Sequence, residues 1–383
     1  MTSAAAAPAT PPAAPPRGRR LSTRARVALA LAAWLVATAL VVVALRALGW
    51  RQALDAVRQA RPLWLAVAVL CHASIVFLWA WQTYVLLPRG PDGRAAPAAD
   101  GSRITYARCA EVQALTATAS NTVPAFLGQA TGVARLSERA RLGTAAALSV
   151  FAQHNLVEGF TKVGVLFAAA QVAPLPTWMR RSLVVLAVVM TAFALALAVA
   201  AWYARRHRPR VDPALAGVAP NAAADRRRPG ALARFRAFAL SWAASLDALR
   251  HPGQLLAALA LAVAMKAAEA AGWWAVERAF AVSPRPGSPV LALAATNLAS
   301  AIPASPGNLG VYEGAAFSAY HLLLGVPRET AIALALLGHV CYLVPLVGIG
   351  WGILSVQQLR GLLARRAAGG PDRRAGAKRR GAT

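Results

Sequence analysis

The stretch "SAIPASPGNLGVYEGAAFSAY", residues 300–320, lies between two strongly apolar segments, and its reading decides the fold. It gathers Pro303, Pro306, Gly307, Asn308, Gly310 and Gly314 around a single carboxylate, Glu313. Proline removes a backbone donor and breaks the helix ahead of it. Broken backbone at membrane depth is tolerated only where protein buries it or water reaches it. Amides freed at the start of the helix after Pro306 would present a positive dipole end, which favours an anionic group such as a lipid phosphate. Gly310 and Gly314 would let a neighbouring helix approach closely, and packing alone is the other reading of these glycines. Glu313 either serves a polar path beside the break or caps the short helix.

The rest of the chain supplies the membrane. It has 383 residues, 58% of them hydrophobic, with a mean hydropathy of +0.48. Apolar runs at 27–48, 63–87, 182–203 and 331–358 exceed the roughly 20 residues needed to cross a bilayer, as do 142–171 and 254–281, which carry ionisable residues. The fold class is therefore all-α and polytopic. The net charge of +27 sits outside the spans, in the Ala/Pro-rich tail 1–26, the loop 204–252 and the tail 359–383. In a soluble protein such a balance suggests nucleic acid. Here Lys and Arg mark the cytoplasmic side and meet anionic lipid, so no nucleic-acid partner is expected. Cys71, Cys109 and Cys341 have no paired or metal-type spacing. The first span follows a basic region without a convincing small-residue cleavage site and reads as retained.

Arginine-rich segments then order the spans, with both termini cytoplasmic. Spans 27–48 and 63–87 return the chain inside. Residues 104–134 are too polar for a lipid-facing helix and read as a re-entrant segment. Span 142–171 goes out and 182–203 comes in. Span 254–281 goes out, residues 289–325 form a broken hairpin and 331–358 comes in. A hydropathy count alone could instead give seven or eight full spans. Within the basic loop, 231–250 has an apolar face with Phe235, Phe238 and Trp242, as an interfacial helix would; packing on the protein itself is equally consistent. Trp50, Trp64, Trp178 and Trp202 fall near span ends, where an aromatic belt lies.

The two hairpins share a pattern. Residues 124–134 read PAFLGQATGVA and 306–316 read PGNLGVYEGAA, both Pro-x-x-Leu-Gly-x-x-x-Gly-x-Ala. Inverted repeats with broken helices are the plan of many secondary transporters. Pro124, Gly128, Gln129 and Asn121 are the first-repeat equivalents.

Ionisable residues inside spans mark the remaining candidates. His154, Glu158 and Lys162 recur every four residues and form one stripe. Lys266 and Glu269 lie one turn apart on 254–281. Each such group costs about 2.5–3.5 kcal/mol in hydrocarbon, so they should face the bundle interior. They either line a path for a polar headgroup or pair as Glu158–Lys162 and Lys266–Glu269 to hold helices together. His72 and His339 read as hydrogen-bonded core residues, and Gly348 and Gly352 as helix packing. No nucleotide loop, HExxH or Cys-x-x-Cys is found, so no cofactor, metal or catalytic reaction is expected.

The run Pro303 to Gly314 resembles the signature of the lysylphosphatidylglycerol synthase transmembrane region family, also called flippase-like domain proteins. That family includes the membrane half of the bacterial multiple peptide resistance factor, which moves aminoacylated lipid across the inner membrane, and stand-alone relatives. Pro306, Gly307, Gly310 and Glu313 match its motif, while Asn308 stands where a second glycine is usual. Of the first-half motif, Pro124 and Gly128 match, but Gln129 replaces the acid and no arginine follows closely. The resemblance implies a bacterial inner-membrane protein that moves, or helps to move, a lipid or lipid-linked molecule between leaflets. The family's aminoacyl-transferase domain would follow the last span, where 25 residues of basic tail stand, so lysyl-lipid synthesis is not expected of this chain. Membrane lipids with anionic headgroups are the expected partners, and homo-oligomers are compatible. The alternatives are an accessory subunit of a lipid-modifying or glycosyl-transfer enzyme and a small-solute or ion transporter.

Overall fold

The computed structural model describes residues 55, 57–89, 102–122, 125–139, 142–172, 175–206, 242, 251–282, 285–300 and 306–368. The expected tail 1–26, span 27–48 and nearly all of the loop 207–250 lie outside these. Among the described residues the chain is helical, with no strand. The elements are α1 (Pro62–Val85), α2 (Tyr106–Thr122), α3 (Ala125–Arg139), α4 (Thr144–Val172), α5 (Thr177–Arg206), α6 (Pro252–Ala279), α7 (Ser288–Ala299), α8 (Val311–Phe317) and α9 (Arg328–Ala368).

Among the described residues four helical segments are long and apolar enough to cross a membrane: Pro62–Val85, Met179–Ala200, Pro252–Ala279 and Arg328–Gly361. Helix α4 matches them in length with 29 residues, about 43 Å at 1.5 Å per residue, and carries the ionisable stripe. The protein is an all-α, multi-pass membrane protein. Scarcely any of the apolar stretch of α5 is buried (6%), whereas half of that of α9 is (50%), so α5 stands at the periphery and α9 in the middle. Helix α9 runs to Ala368 rather than ending at 358. Hydropathy locates where apolar side chains stop, but Gln357, Gln358, Leu359 and Arg360 are good helix formers, so the backbone continues past the polar boundary.

Helices α1 and α6 form the central seam. Both begin with proline at their first turn, where its missing N–H is no loss. They run antiparallel: the Arg61 amide bonds the Ala279 carbonyl at 2.9 Å, and Gln82 Nε2 donates to the Ala258 carbonyl at 2.8 Å. Small residues line the crossing, with Ala68, Ala80, Ala258 and Ala262 buried. A Cβ on Gly272 would meet the His72 ring at 2.2 Å, so glycine there is what lets the backbones close.

The expected re-entrant segment is a helical hairpin, α2 and α3. A Cβ on Gly128 would lie 2.3 Å from the Ser120 Cα, so the two legs touch through glycine. The second hairpin has α7 as one leg. After it come a 3₁₀ turn at Pro306–Asn308, the seven-residue α8 and a π turn at Ser318–Leu323, which holds one residue more per turn than an α-helix. Gly307 (φ 61°), Asn308 (φ 53°) and Gly310 (φ 85°) are left-handed, which explains the glycines at the turn. The tips of the hairpins meet, since a Cβ on Gly307 would sit 3.1 Å from the Asn121 carbonyl oxygen.

Each first leg packs along the last span of the other half. Helix α2 lies antiparallel to α9, with the Thr118 hydroxyl donating to the Leu346 carbonyl at 3.2 Å and Gln357 Nε2 to Glu111 at 2.8 Å. Helix α7 lies against α4, with Leu291 and Ala294 on Leu166 and Ala169. Such exchange of contacts is what an inverted repeat generates.

Two expectations about glycine are corrected. Among the described residues no atom lies within 4 Å of a Cβ built on Gly310 or Gly314, so neither brings a described helix close. Gly348 and Gly352 likewise meet none of the described residues, whereas Gly350 is the glycine wedged against Thr118 of α2. Spacing alone does not say which face of a helix is covered. Of the expected interfacial helix 231–250 only Trp242 is described, and it packs on Leu156 and Leu197 of the protein itself.

Candidate functional site

The four-residue spacing puts His154, Glu158 and Lys162 on one face of α4, and that face meets α6 and α7. Glu158 pairs with Lys162 at 3.0 Å and with His154 Nε2 at 3.3 Å. On α6, Lys266 pairs with Glu269 at 2.9 Å. Both pairs read from the sequence are therefore present. They are joined, because Lys266 Nζ also lies 3.9 Å from Glu158 Oε1. Asn297 of α7 completes the group: its carbonyl accepts from Lys266 at 3.0 Å and its amide donates to Glu269 at 3.2 Å. Two carboxylates and two ammonium groups thus form one chain across α4 and α6, and Asn297 ties it to α7.

The cluster has a deep end and an open end. The Lys266 side chain is 9% exposed and that of Glu269 13%, against 28% for Glu158 and 23% for Lys162. Mutual pairing offsets the desolvation that would make each charge unfavourable alone. The stripe is anchored to the central seam by a hydrogen bond between His154 and Gln82, and Trp79 stacks on His154 at 5.2 Å.

Glu313 stands at the start of α8 and is shared. One carboxylate oxygen accepts the Gly310 amide at 2.7 Å, and the other accepts from His339 Nδ1 of α9 at 2.8 Å. The capping role is therefore present. It also corrects one expectation: the Gly310 amide, one of those thought to be open after the break, is already satisfied by Glu313. His72 donates from Nδ1 to the Ala68 carbonyl at 2.8 Å, as a core residue would. His339 goes beyond that by holding the carboxylate of the break.

Aromatic rings fill the space between Glu313 and the charge cluster. Tyr312 stacks on His339 at 4.2 Å, on Tyr342 at 5.6 Å and on Trp273 at 6.0 Å. His72 meets Tyr342 edge-on at 5.6 Å. Glu269 lies within Coulombic reach of His72, Tyr312 and Tyr342, and Glu158 within reach of Tyr342. The break and the cluster are therefore neighbours through one aromatic column.

The first-repeat residues do not join this network. Asn121 bonds back to the Ala117 carbonyl of its own helix at 2.8 Å, and Gly128 packs on Ser120. Gln129 stands where an acid would, its Oε1 buried without a protein partner. Pro124 lies outside the described residues. Asn297, Gln82 and the pairing of His339 with Glu313 were missed from sequence. The signal for Asn297 and Gln82 was a polar side chain in an otherwise apolar helix. Among the described residues no three of His, Cys, Asp and Glu converge. The arrangement can hold a guest that carries charge, because it offers paired groups of both signs within a hydrophobic shell.

No curated protein and no solved structure matches the chain. The family described as lysylphosphatidylglycerol synthase TM region matches over residues 27–350, which takes in both hairpins, the charge cluster and Glu313. The chain belongs to that family.

Proposed function

We propose that this protein moves, or helps to move, a lipid or lipid-linked molecule between the leaflets of a bacterial inner membrane, with both termini cytoplasmic and without catalysing a reaction. One observation supports this reading above the others: the chain of Lys162, Glu158, Lys266, Glu269 and Asn297 inside the helix bundle. Intramembrane charges that face the interior mark routes for polar guests, and a lipid headgroup is the polar guest a bilayer supplies. The aromatic column leads from that cluster to the broken hairpin, where Glu313 stands.

The test is translocation of labelled phosphatidylglycerol and phosphatidylethanolamine in proteoliposomes, with wild type compared with Glu158→Gln at matched reconstitution. Glu158 is the more exposed carboxylate of the cluster, so its loss should leave the fold intact. Wild type should exceed empty liposomes, and the variant should be slower by about tenfold, the equivalent of about 1.4 kcal/mol of a charge-assisted contact. No translocation for either headgroup would transfer the weight to an accessory subunit that holds a lipid-modifying enzyme.

A further inference from the structure

Two buried histidines flank Tyr342, and each has one nitrogen committed and one empty. On α1, His72 Nδ1 faces the Ala68 carbonyl, which can only accept, so Nδ1 carries the proton. On α9, His339 Nδ1 faces the Glu313 carboxylate, which when ionised likewise only accepts. Fixing Nδ1–H leaves Nε2 of each neutral ring as a bare lone pair. Neither Nε2 meets a protein partner, and the residues are only 1% and 2% exposed. A buried acceptor left unmade is costly, about 1–3 kcal/mol. An apolar side chain would avoid that cost, so two such acceptors facing the same tyrosine, with ring centroids 5.6 and 6.3 Å from it, call for a ligand that wants lone pairs.

The surroundings select the ligand. Around His339 stand Glu313 and Tyr312 from α8 and Tyr342 and Cys341 from α9. Around His72 stand Gly272 of α6 and Tyr342, and the Glu269 charge acts on it through space. Glu158 of α4 reaches Tyr342. The cation beside Glu269, Lys266, is already held by Glu269 and Asn297. A carboxylate therefore holds the His339 ring directly, and another acts on His72 through space.

We propose that His339, with His72 as its neighbour across Tyr342, is a proton-binding site whose loading is coupled to passage of a headgroup through the charge cluster; the coupling rests on the lipid-moving reading above. A proton taken up from water forms one N–H bond at His339 Nε2 and turns the contact with Glu313 into an ion pair. That tightens α8 against α9, and loss of the proton returns it to a neutral-donor hydrogen bond. A proton on His72 adds positive charge on the Glu269 side and competes with Lys266 for that carboxylate.

Two readouts separate the site from the transport it serves. The first is the ring ¹⁵N spectrum of histidine-labelled full-length protein in vesicles of phosphatidylglycerol and phosphatidylethanolamine. The six histidines are assigned by substitution. Asparagine presents an amide where Nδ1–H stands, so His339→Asn keeps the bond to Glu313 and removes Nε2. On going from about pH 8 to about pH 5, the Nε2 resonance absent from His339→Asn should move while Nδ1 stays protonated. A His339 resonance that does not move overturns the site, whatever the protein transports. The second readout is translocation of labelled phosphatidylglycerol with and without an imposed pH gradient. Wild type should respond by about fivefold, and His339→Asn should move lipid at a rate blind to the gradient. A wild type that moves lipid and ignores the gradient overturns the coupling and leaves the lipid reading standing. A wild type that moves no lipid removes both the lipid reading and the coupling, while a titrating His339 would keep the proton site.

Discussion

The hairpin α2–α3 closes on itself through glycine, whereas the hairpin that begins with α7 is open at its glycines and is held from outside by charge. In the first, Gly128 lies against the Ser120 backbone and Gly132 against Thr116 and Phe151. Its first leg binds its neighbours mainly with neutral groups, Gln113 to Thr83 and Thr118 to the Leu346 and Val347 carbonyls, with the Glu111 carboxylate accepting from Gln357 near its start. In the second, Gly310 and Gly314 touch none of the described residues, Asn297 is gripped by Lys266 and Glu269, and Glu313 is gripped by His339. The same Pro-x-x-Leu-Gly-x-x-x-Gly-x-Ala pattern thus supports a packed element in one half and a charged, less covered one in the other. Equivalent positions in a repeat need not keep equivalent jobs: the pattern sets Thr131 opposite Glu313, and Thr131 only bonds back to the Leu127 carbonyl of its own helix.

That contrast can be broken most severely at Lys266. Lys266→Met leaves Glu269 buried without its cation and releases Asn297, at a cost of about 3–5 kcal/mol. Thermal unfolding in detergent should show the largest drop of the series, and a small drop would mean that charge does not hold the second hairpin. Next is Gly128→Ala, whose new methyl would lie 2.3 Å from a backbone atom. Overpacking of this kind should destabilise by about 3 kcal/mol, and the same assay reads it. Gly310→Ala comes last. It meets no atom of the described residues, so its cost is the left-handed backbone, about 1–2 kcal/mol. If Gly310→Ala proved worse than Gly128→Ala, the open hairpin would have a hidden neighbour and the comparison would reverse.

Much of this was legible because it rests on periodicity. The four-residue spacing of His154, Glu158 and Lys162, and the Lys266–Glu269 turn, fixed both ion pairs, since helical neighbours are a property of sequence separation. The break at Pro306 and the described apolar spans were legible for the same local reasons. What sequence could not give is which local pieces face one another. Asn297 joins Lys266 across 31 residues and His339 joins Glu313 across 26, and neither pairing has a spacing rule. Glycine was misread for a related reason: Gly-x-x-x-Gly marks a smooth face, and only the tertiary arrangement says whether anything lies on it.

The central seam has a consequence for how the protein is made. Gln82 is fully buried and its amide is satisfied by the Ala258 carbonyl, 176 residues later in the chain. At a synthesis rate of about 5–20 residues per second, that partner emerges roughly 9–35 s after Gln82 does. For that interval α1 waits beside the translocation machinery with Gln82 still lacking its acceptor. An insertase or chaperone that shelters the polar face of α1 should therefore be needed until α6 is made, and crosslinks from Gln82 to it should persist for that interval.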